Sequence, residues 1–87
     1  MTVESVYYVY ILRSLKNNRY YIGYTTNLLN RLTEHNTGET KGNRYFRPFE
    51  LVYQEEYKTL TEARDRESFL KEQKSRKFLE SLFIIGA

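Results

Sequence analysis

The sequence predicts a small α+β domain, on three observations. At 87 residues the chain has room for one hydrophobic core, and so for one domain over residues 1–87. Three runs dense in β-branched and aromatic residues read as strands, over residues 6–12, Tyr20–Thr25 and Phe49–Tyr57. Three stretches with apolar residues at helical spacing follow the second and third of these runs, each with a capping residue nearby.

The first run, Val6-Tyr7-Tyr8-Val9-Tyr10-Ile11-Leu12, has no polar alternation and predicts a strand covered on both faces. Lys16-Asn17-Asn18 is turn chemistry, because asparagine tolerates left-handed backbone angles. Together with the second run it predicts a β-hairpin, with a two-residue or a four-residue loop equally compatible with the residues. Thr26 or Asn27 can cap the next helix. At 100° per residue Leu28, Leu32, Asn36 and Leu29 share one stripe, the expected core face, with Arg31 and His35 aligned along its edge. Asn30, Thr33 and Glu34 point to solvent, and Gly38 supplies the stop.

Residues 36–48 form a long loop punctuated by Gly38, Gly42 and Pro48, a length that favours a functional role. In the third strand Leu51, Tyr53 and Tyr57 share parity with Glu55, whereas Val52 lies on a wetter face, as on an edge strand. Thr59 or Thr61 can open a second helix that buries Ala63, Phe69 and Leu70 through Gln73, with Glu67 at the margin of that apolar face. Ser75 can cap a last helix burying Phe78, Leu79, Leu82 and Phe83, ended by Gly86.

Composition narrows the function. Nine tyrosines and five phenylalanines, without tryptophan, must supply much of the core. The absence of cysteine excludes a disulfide scaffold and a thiolate zinc site, and a single histidine is too few for a His-rich metal site. No stretch has the length and apolarity of a membrane span or a signal peptide, so a cytoplasmic protein is expected. Fourteen basic and eleven acidic side chains give a net charge of +3, which permits nucleic-acid binding. The basic residues cluster at Lys41, Arg44 and Arg47 and again at Lys71, Lys74, Arg76 and Lys77. Arg44-Tyr45-Phe46-Arg47 interleaves cations with rings, as surfaces that hold phosphates and stack bases do, so Lys41, Arg44, Tyr45 and Arg47 are candidate nucleic-acid contacts. Anchoring of the loop by Tyr45 and Phe46 is the competing use.

Four ordered motifs carry a family resemblance: Tyr8-Val9-Tyr10, Tyr21-Ile22-Gly23, Arg31 with His35 four residues on, and Glu62-Ala63-Arg64-Asp65-Arg66-Glu67. With Lys74-Ser75-Arg76-Lys77-Phe78 they cover nearly the whole chain. It resembles the GIY-YIG nuclease superfamily, in particular its small single-domain bacterial group. The resemblance implies a three-stranded antiparallel sheet flanked by about three helices, and cleavage of DNA, branched or single-stranded substrates included, with one divalent cation. It implies Tyr21 as general base, with Tyr10 hydrogen-bonded nearby as partner or alternate, and Arg31 as clamp on the scissile phosphate. His35 would assist the tyrosine or contact phosphate, and Glu67 would hold Mg²⁺ or Mn²⁺. The chemistry is coherent. A tyrosine, ordinarily ionising near pH 10 (about 10), must be made more acidic to act as a base near neutrality, which neighbouring cations can do. A planar guanidinium suits the charge that develops on phosphate, and a lone carboxylate suits a hard, largely hydrated ion. Two positions depart from the pattern: Tyr8 replaces the family's glycine, and Tyr24 stands where some of these nucleases carry lysine. A non-catalytic nucleic-acid-binding module on the same fold is therefore the alternative, and a protein-binding domain using exposed aromatics a third.

Overall fold

A computed structural model describes residues 5–38, 44–73 and 75–85; the side chains of Arg44 and Ile85 lie outside this description, as do Lys41, Gly42, Lys74 and Gly86. The element order is β1 (Tyr7–Ser14), β2 (Tyr20–Thr25), α1 (Leu28–Thr37), a 3-10 turn (Arg44–Phe46), β3 (Phe49–Tyr57), α2 (Leu60–Glu72) and α3 (Arg76–Ile85). The three strands form an antiparallel sheet in the order β2-β1-β3, so the most apolar run is central and both partners are edges.

Because side chains alternate across a strand, β1 feeds two cores. Val9 and Ile11 face α2 and α3, where Ala63, Leu70 and Leu79 are buried against them. Tyr10 and Leu12 face the other way and pack with Phe49, Tyr21, Leu28 and Leu32, which places α1 over that face. Burial on both faces is why β1 lacks alternation.

The hairpin takes the longer of its two possible loops, Leu15-Lys16-Asn17-Asn18, closed by Ser14 N–H to Arg19 O at 2.9 Å and Asn18 N–H to Ser14 O at 2.9 Å. Asn18 adopts a left-handed φ of 63°. Ser14 is wholly buried, and its hydroxyl accepts the N–H groups of Lys16 and Asn17, each at 3.1 Å. Asn27 is the cap of α1, its side chain accepting the Asn30 N–H at 3.0 Å; Thr59 is the cap of α2, accepting the Glu62 N–H at 3.2 Å.

Four expectations require correction. Leu29 is 77% exposed, because the buried stripe of α1 is rotated toward His35, which is 4% exposed and buried rather than marginal. Phe69 is 43% exposed and meets Phe78 edge-on instead of entering the core. On β3 a bulge sets Ile11 opposite Tyr53 and Leu12 opposite Leu51, leaving Val52 as the extra residue. A bulge turns two consecutive side chains to one side, so Val52 and Tyr53 both pack on the α2–α3 core and the even parity breaks. The long loop is also shorter than expected, since α1 runs to Thr37 and residues 44–46 form a helical turn.

Candidate active site

Four elements place the five candidate groups. Register sets Tyr10 opposite Gly23 and Leu12 opposite Tyr21, so Tyr10 and Tyr21 lie on the α1 face of the sheet. From α1, Arg31 and His35 sit one turn apart above them. Tyr10 is 3% exposed and its hydroxyl is the hub: Arg31 Nε donates to it at 3.3 Å, and His35 Nε2 lies 3.4 Å away. The hydrogen bond to Tyr10 is the main reason the Arg31 pKa is raised above its ordinary value, with burial opposing it. Arg31 also reaches Glu34 at 3.4 Å, yet its side chain remains 38% exposed, leaving guanidinium N–H groups available to an anion. The His35 ring meets both Tyr10 and Phe49 edge-on. Its burial sets the ring against the Tyr10 hydroxyl.

Tyr21 stands differently. Its ring stacks on Phe46 with centroids 6.3 Å apart and meets Phe49 edge-on at 5.3 Å. The hydrogen bond expected between the two tyrosines is replaced on both sides. Tyr10 goes to Arg31 and His35, and the Tyr21 hydroxyl accepts from Asn17 Nδ2 at 3.4 Å.

Glu67 comes from α2, on the opposite core. Its side chain is 15% exposed and pairs with Lys71 at 3.4 Å, while its neighbour Arg66 is committed to Glu55. A single cleft of about 780 Å³ nevertheless joins the two sides, running along the edge strand β2 and lined by Tyr10, Tyr21, Arg31, His35 and Glu67 together with Gly23, Tyr24 and Lys71. All five residues assigned from the motifs therefore open on one cavity. Gly23 is what lets Tyr10 lie there: a Cβ at position 23 would fall 2.3 Å from the Tyr10 hydroxyl oxygen.

Among the described residues no three His, Asp, Glu or Cys side chains gather as a metal-ligand set. Among the described residues, Glu67 is the one carboxylate that lines the cleft. It fits a hard ion that keeps most of its waters and takes further oxygens from a substrate, and not a closed zinc-type site.

Of the candidate nucleic-acid contacts, Tyr45 and Arg47 lie outside this cleft, lining a recess beside it with Lys16. Lys41 and the side chain of Arg44 fall outside the described residues. Arg76 is not spare charge for a phosphate track. Its guanidinium packs over the Tyr20 ring at 4.2 Å, donates to Asn18 O at 2.7 Å and pairs with Glu80. Motif reading missed Asn17 and Lys71. The asparagine was legible only as turn chemistry, and the lysine only as one of several possible partners of Glu67.

Comparison with known proteins agrees with this fold. The family model described as the GIY-YIG catalytic domain matches residues 6–80. The chain is 46% identical over 68 residues to a UPF0213 protein of Staphylococcus haemolyticus, covering 75% of this chain and 79% of the relative. It is 40% identical over 73 residues to a UPF0213 protein of Oceanobacillus iheyensis, covering 80% and 81%. In three dimensions it is similar to the solution NMR structure of a UPF0213 protein from Bacillus halodurans, with a TM-score of 0.58 and 32% identity, over 94% of this chain and 87% of that one.

Proposed function

Because the chain belongs to the GIY-YIG catalytic-domain family of nucleases, and within it to the small UPF0213 group, we propose that it is a metal-dependent endonuclease hydrolysing phosphodiester bonds in DNA. The observation that carries this reading is the meeting of Tyr10, Tyr21, Arg31, His35 and Glu67 in one open cleft.

Arg31 binds the scissile phosphate through the N–H groups that Tyr10 and Glu34 leave open, and stabilises the charge gained in the transition state. Tyr21, as its phenolate, takes the proton of the attacking water as the new P–O bond forms and the leaving oxygen departs. It suits this work better than Tyr10, because Tyr21 is partly exposed whereas Tyr10 is buried under Arg31 and His35. Tyr10 positions the other two: with its hydroxyl fixed, Arg31 and His35 keep their orientation. Glu67 would hold Mg²⁺ or Mn²⁺, which when bound supplies Lewis acidity toward phosphate and leaving-group oxygens. Lys71 pairs with the same Glu67 carboxylate that would hold the cation.

The test incubates pure protein with plasmid, single-stranded and branched DNA in Mg²⁺ or Mn²⁺, beside Glu67→Ala and Arg31→Ala. The expected result is cleavage by the parent chain and a loss of roughly 100-fold or more in either variant. Cleavage that survives both substitutions sinks the assignment. Tyr21→Phe against Tyr10→Phe then separates base from positioning group: the first abolishes turnover with binding kept, the second weakens both. The second reading, a nucleic-acid-binding module without catalysis, is favoured by Tyr24, which lines the cleft 38% exposed where lysine would add charge. Salt-dependent binding without cleavage in any metal would select it.

A further inference from the structure

The tyrosine hydroxyls of this fold are held in two opposite ways. Tyr20 donates to Glu80 at 2.7 Å, and Tyr53 and Tyr57 donate to Glu55 at 2.5 and 2.7 Å. A carboxylate in that place bonds the neutral phenol and repels the phenolate, so it keeps the proton on oxygen. The Tyr21 hydroxyl belongs to a ring that lines the cleft, and it accepts a bond instead, from Asn17 Nδ2 at 3.4 Å. A donor favours the charged form of the oxygen it meets.

The direction of this bond is fixed by the loop. The two ends of an amide side chain are told apart by their partners. Asn17 Oδ1 accepts the Arg19 N–H at 3.0 Å, which only the oxygen can do, so the amino end faces Tyr21. The loop itself is held from two sides. The Ser14 hydroxyl, at 0% exposure, accepts the Lys16 and Asn17 N–H groups, and Arg76 of α3 donates to Asn18 O at 2.7 Å. The bond to Arg19 alone would not single out asparagine, since aspartate closes the same turn. Only asparagine adds a donor.

We propose that Asn17 is a positioning residue for cleavage, its amide holding the Tyr21 hydroxyl and stabilising that oxygen while it bears the charge of the base. The inference rests on the nuclease reading of the cleft and adds the residue that prepares the base. At 3.4 Å the bond is long for a neutral phenol. It shortens when the oxygen is charged, because charge-assisted bonds are shorter and about twice as strong. Phe46 and Phe49 flank the Tyr21 ring, and beside apolar groups such a bond counts for more than it does in water. Nothing is transferred to or from Asn17: water gives its proton to Tyr21, and the amide keeps both of its own.

The experiment compares Asn17→Ala and Asn17→Asp with the parent chain in cleavage of plasmid DNA at saturating protein, from about pH 6 to about pH 10. Asn17→Asp still accepts the Arg19 N–H, so it should melt within about 4 °C of the parent. Its carboxylate now accepts the Tyr21 proton as well, as Glu80 does from Tyr20. Asn17→Ala should cleave roughly tenfold or more slowly near neutral pH, the worth of a hydrogen bond to a charged group. Asn17→Asp should be slower still, because its charge opposes that of the phenolate. Both losses should shrink as pH rises, since the phenolate then forms without help. The other titratable groups of the cleft are Tyr10, Tyr20 and Tyr24 from the sheet, Arg31 and His35 from α1, and Glu67 and Lys71 from α2. These are common to all three chains, so the difference between the profiles belongs to position 17. Should Asn17→Asp melt much lower, the pH dependence of the Asn17→Ala loss decides alone. If the parent cleaves and Arg31→Ala does not, while the Asn17 variants cleave as the parent does or lose the same factor at every pH, the role of Asn17 is overturned and the nuclease assignment stands. If the parent cleaves no DNA in Mg²⁺ or Mn²⁺, both are overturned.

Discussion

At the scale of single residues, the site turns on the contact between a glycine and a tyrosine. Gly23 is required by space: its would-be Cβ meets the Tyr10 hydroxyl oxygen at 2.3 Å and ring carbon Cζ at 2.6 Å. Gly23→Ala must therefore push the Tyr10 ring aside, and with it the oxygen that holds Arg31 and faces His35. Overpacking of this kind costs about 1–3 kcal/mol, and a domain of this size loses roughly 4–8 °C of Tm per kcal/mol. The expected outcome is a melting point lower by about 4–24 °C, with the proposed DNA cleavage, at a temperature where the variant is folded, falling much further than the folded fraction does. A variant that melts lower yet cleaves normally would show that the Tyr10 hub does not position Arg31. The residues of this hub were legible in the sequence because motif spacing fixes them one by one. Their connections were not: which hydroxyl meets which partner depends on hairpin register and helix rotation, and neither is encoded locally.

At the scale of elements, α1 must be held over the sheet for Arg31 and His35 to meet Tyr10, and one asparagine does much of this. Asn36 Oδ1 accepts the Phe49 N–H at 2.6 Å while its Nδ2 donates to Phe49 O at 3.2 Å, so the end of α1 is clasped to the start of β3. Asn36→Ala strands both backbone groups of a residue that is 4% exposed. Leaving such groups unpaired costs about 1–3 kcal/mol each, so thermal unfolding should begin roughly 10 °C lower or more. Leu29→Ala, on the same helix but 77% exposed, should change stability by less than about 0.5 kcal/mol. Equal effects of the two substitutions would refute the observed helix rotation. Helical periodicity had placed Asn36 and Leu29 on the same stripe. It could not tell that a buried polar clasp and a buried histidine turn the helix away from Leu29. The same limit explains β3. Alternation gave the strand its bounds, but a bulge is a pairing event with β1 and moved Val52 into the core without leaving a mark in the run itself.

At the scale of the whole molecule, the sheet divides chemistry from support. The α1 face carries Tyr10, Tyr21, Arg31 and His35, and the α2–α3 face carries the larger aliphatic core, with Glu67 reaching the cleft from that side. The proposed chemistry therefore needs α2 locked to the sheet, and a charged cluster next to Glu67 does the locking. Glu55 on β3 accepts Arg66 Nε at 2.9 Å and Nη2 at 3.0 Å, and the hydroxyls of Tyr53 and Tyr57 at 2.5 and 2.7 Å. Burial disfavours the Glu55 carboxylate, but the hydrogen bonds from Arg66, Tyr53 and Tyr57 outweigh it and lower its pKa below the ordinary value. Burial first, and the Glu55 carboxylate second, push both tyrosines up to about 12. The signs then follow. A depressed carboxylate adds stability that is complete above the unfolded-state pKa and is lost as pH falls through the native one, because only the unfolded chain gains a proton in between. The raised tyrosines add stability that is complete below about pH 10 and is lost as pH rises toward 12, where the unfolded chain ionises first. Glu55→Gln should lower the melting point at pH 7 by roughly 10 °C, for a cost of about 2 kcal/mol. It should also flatten the fall of Tm between pH 5 and pH 3 relative to the parent chain, since the group that titrates has gone. Parallel Tm–pH curves for the two proteins would show that Glu55 is not the acid-sensitive tie between α2 and the sheet.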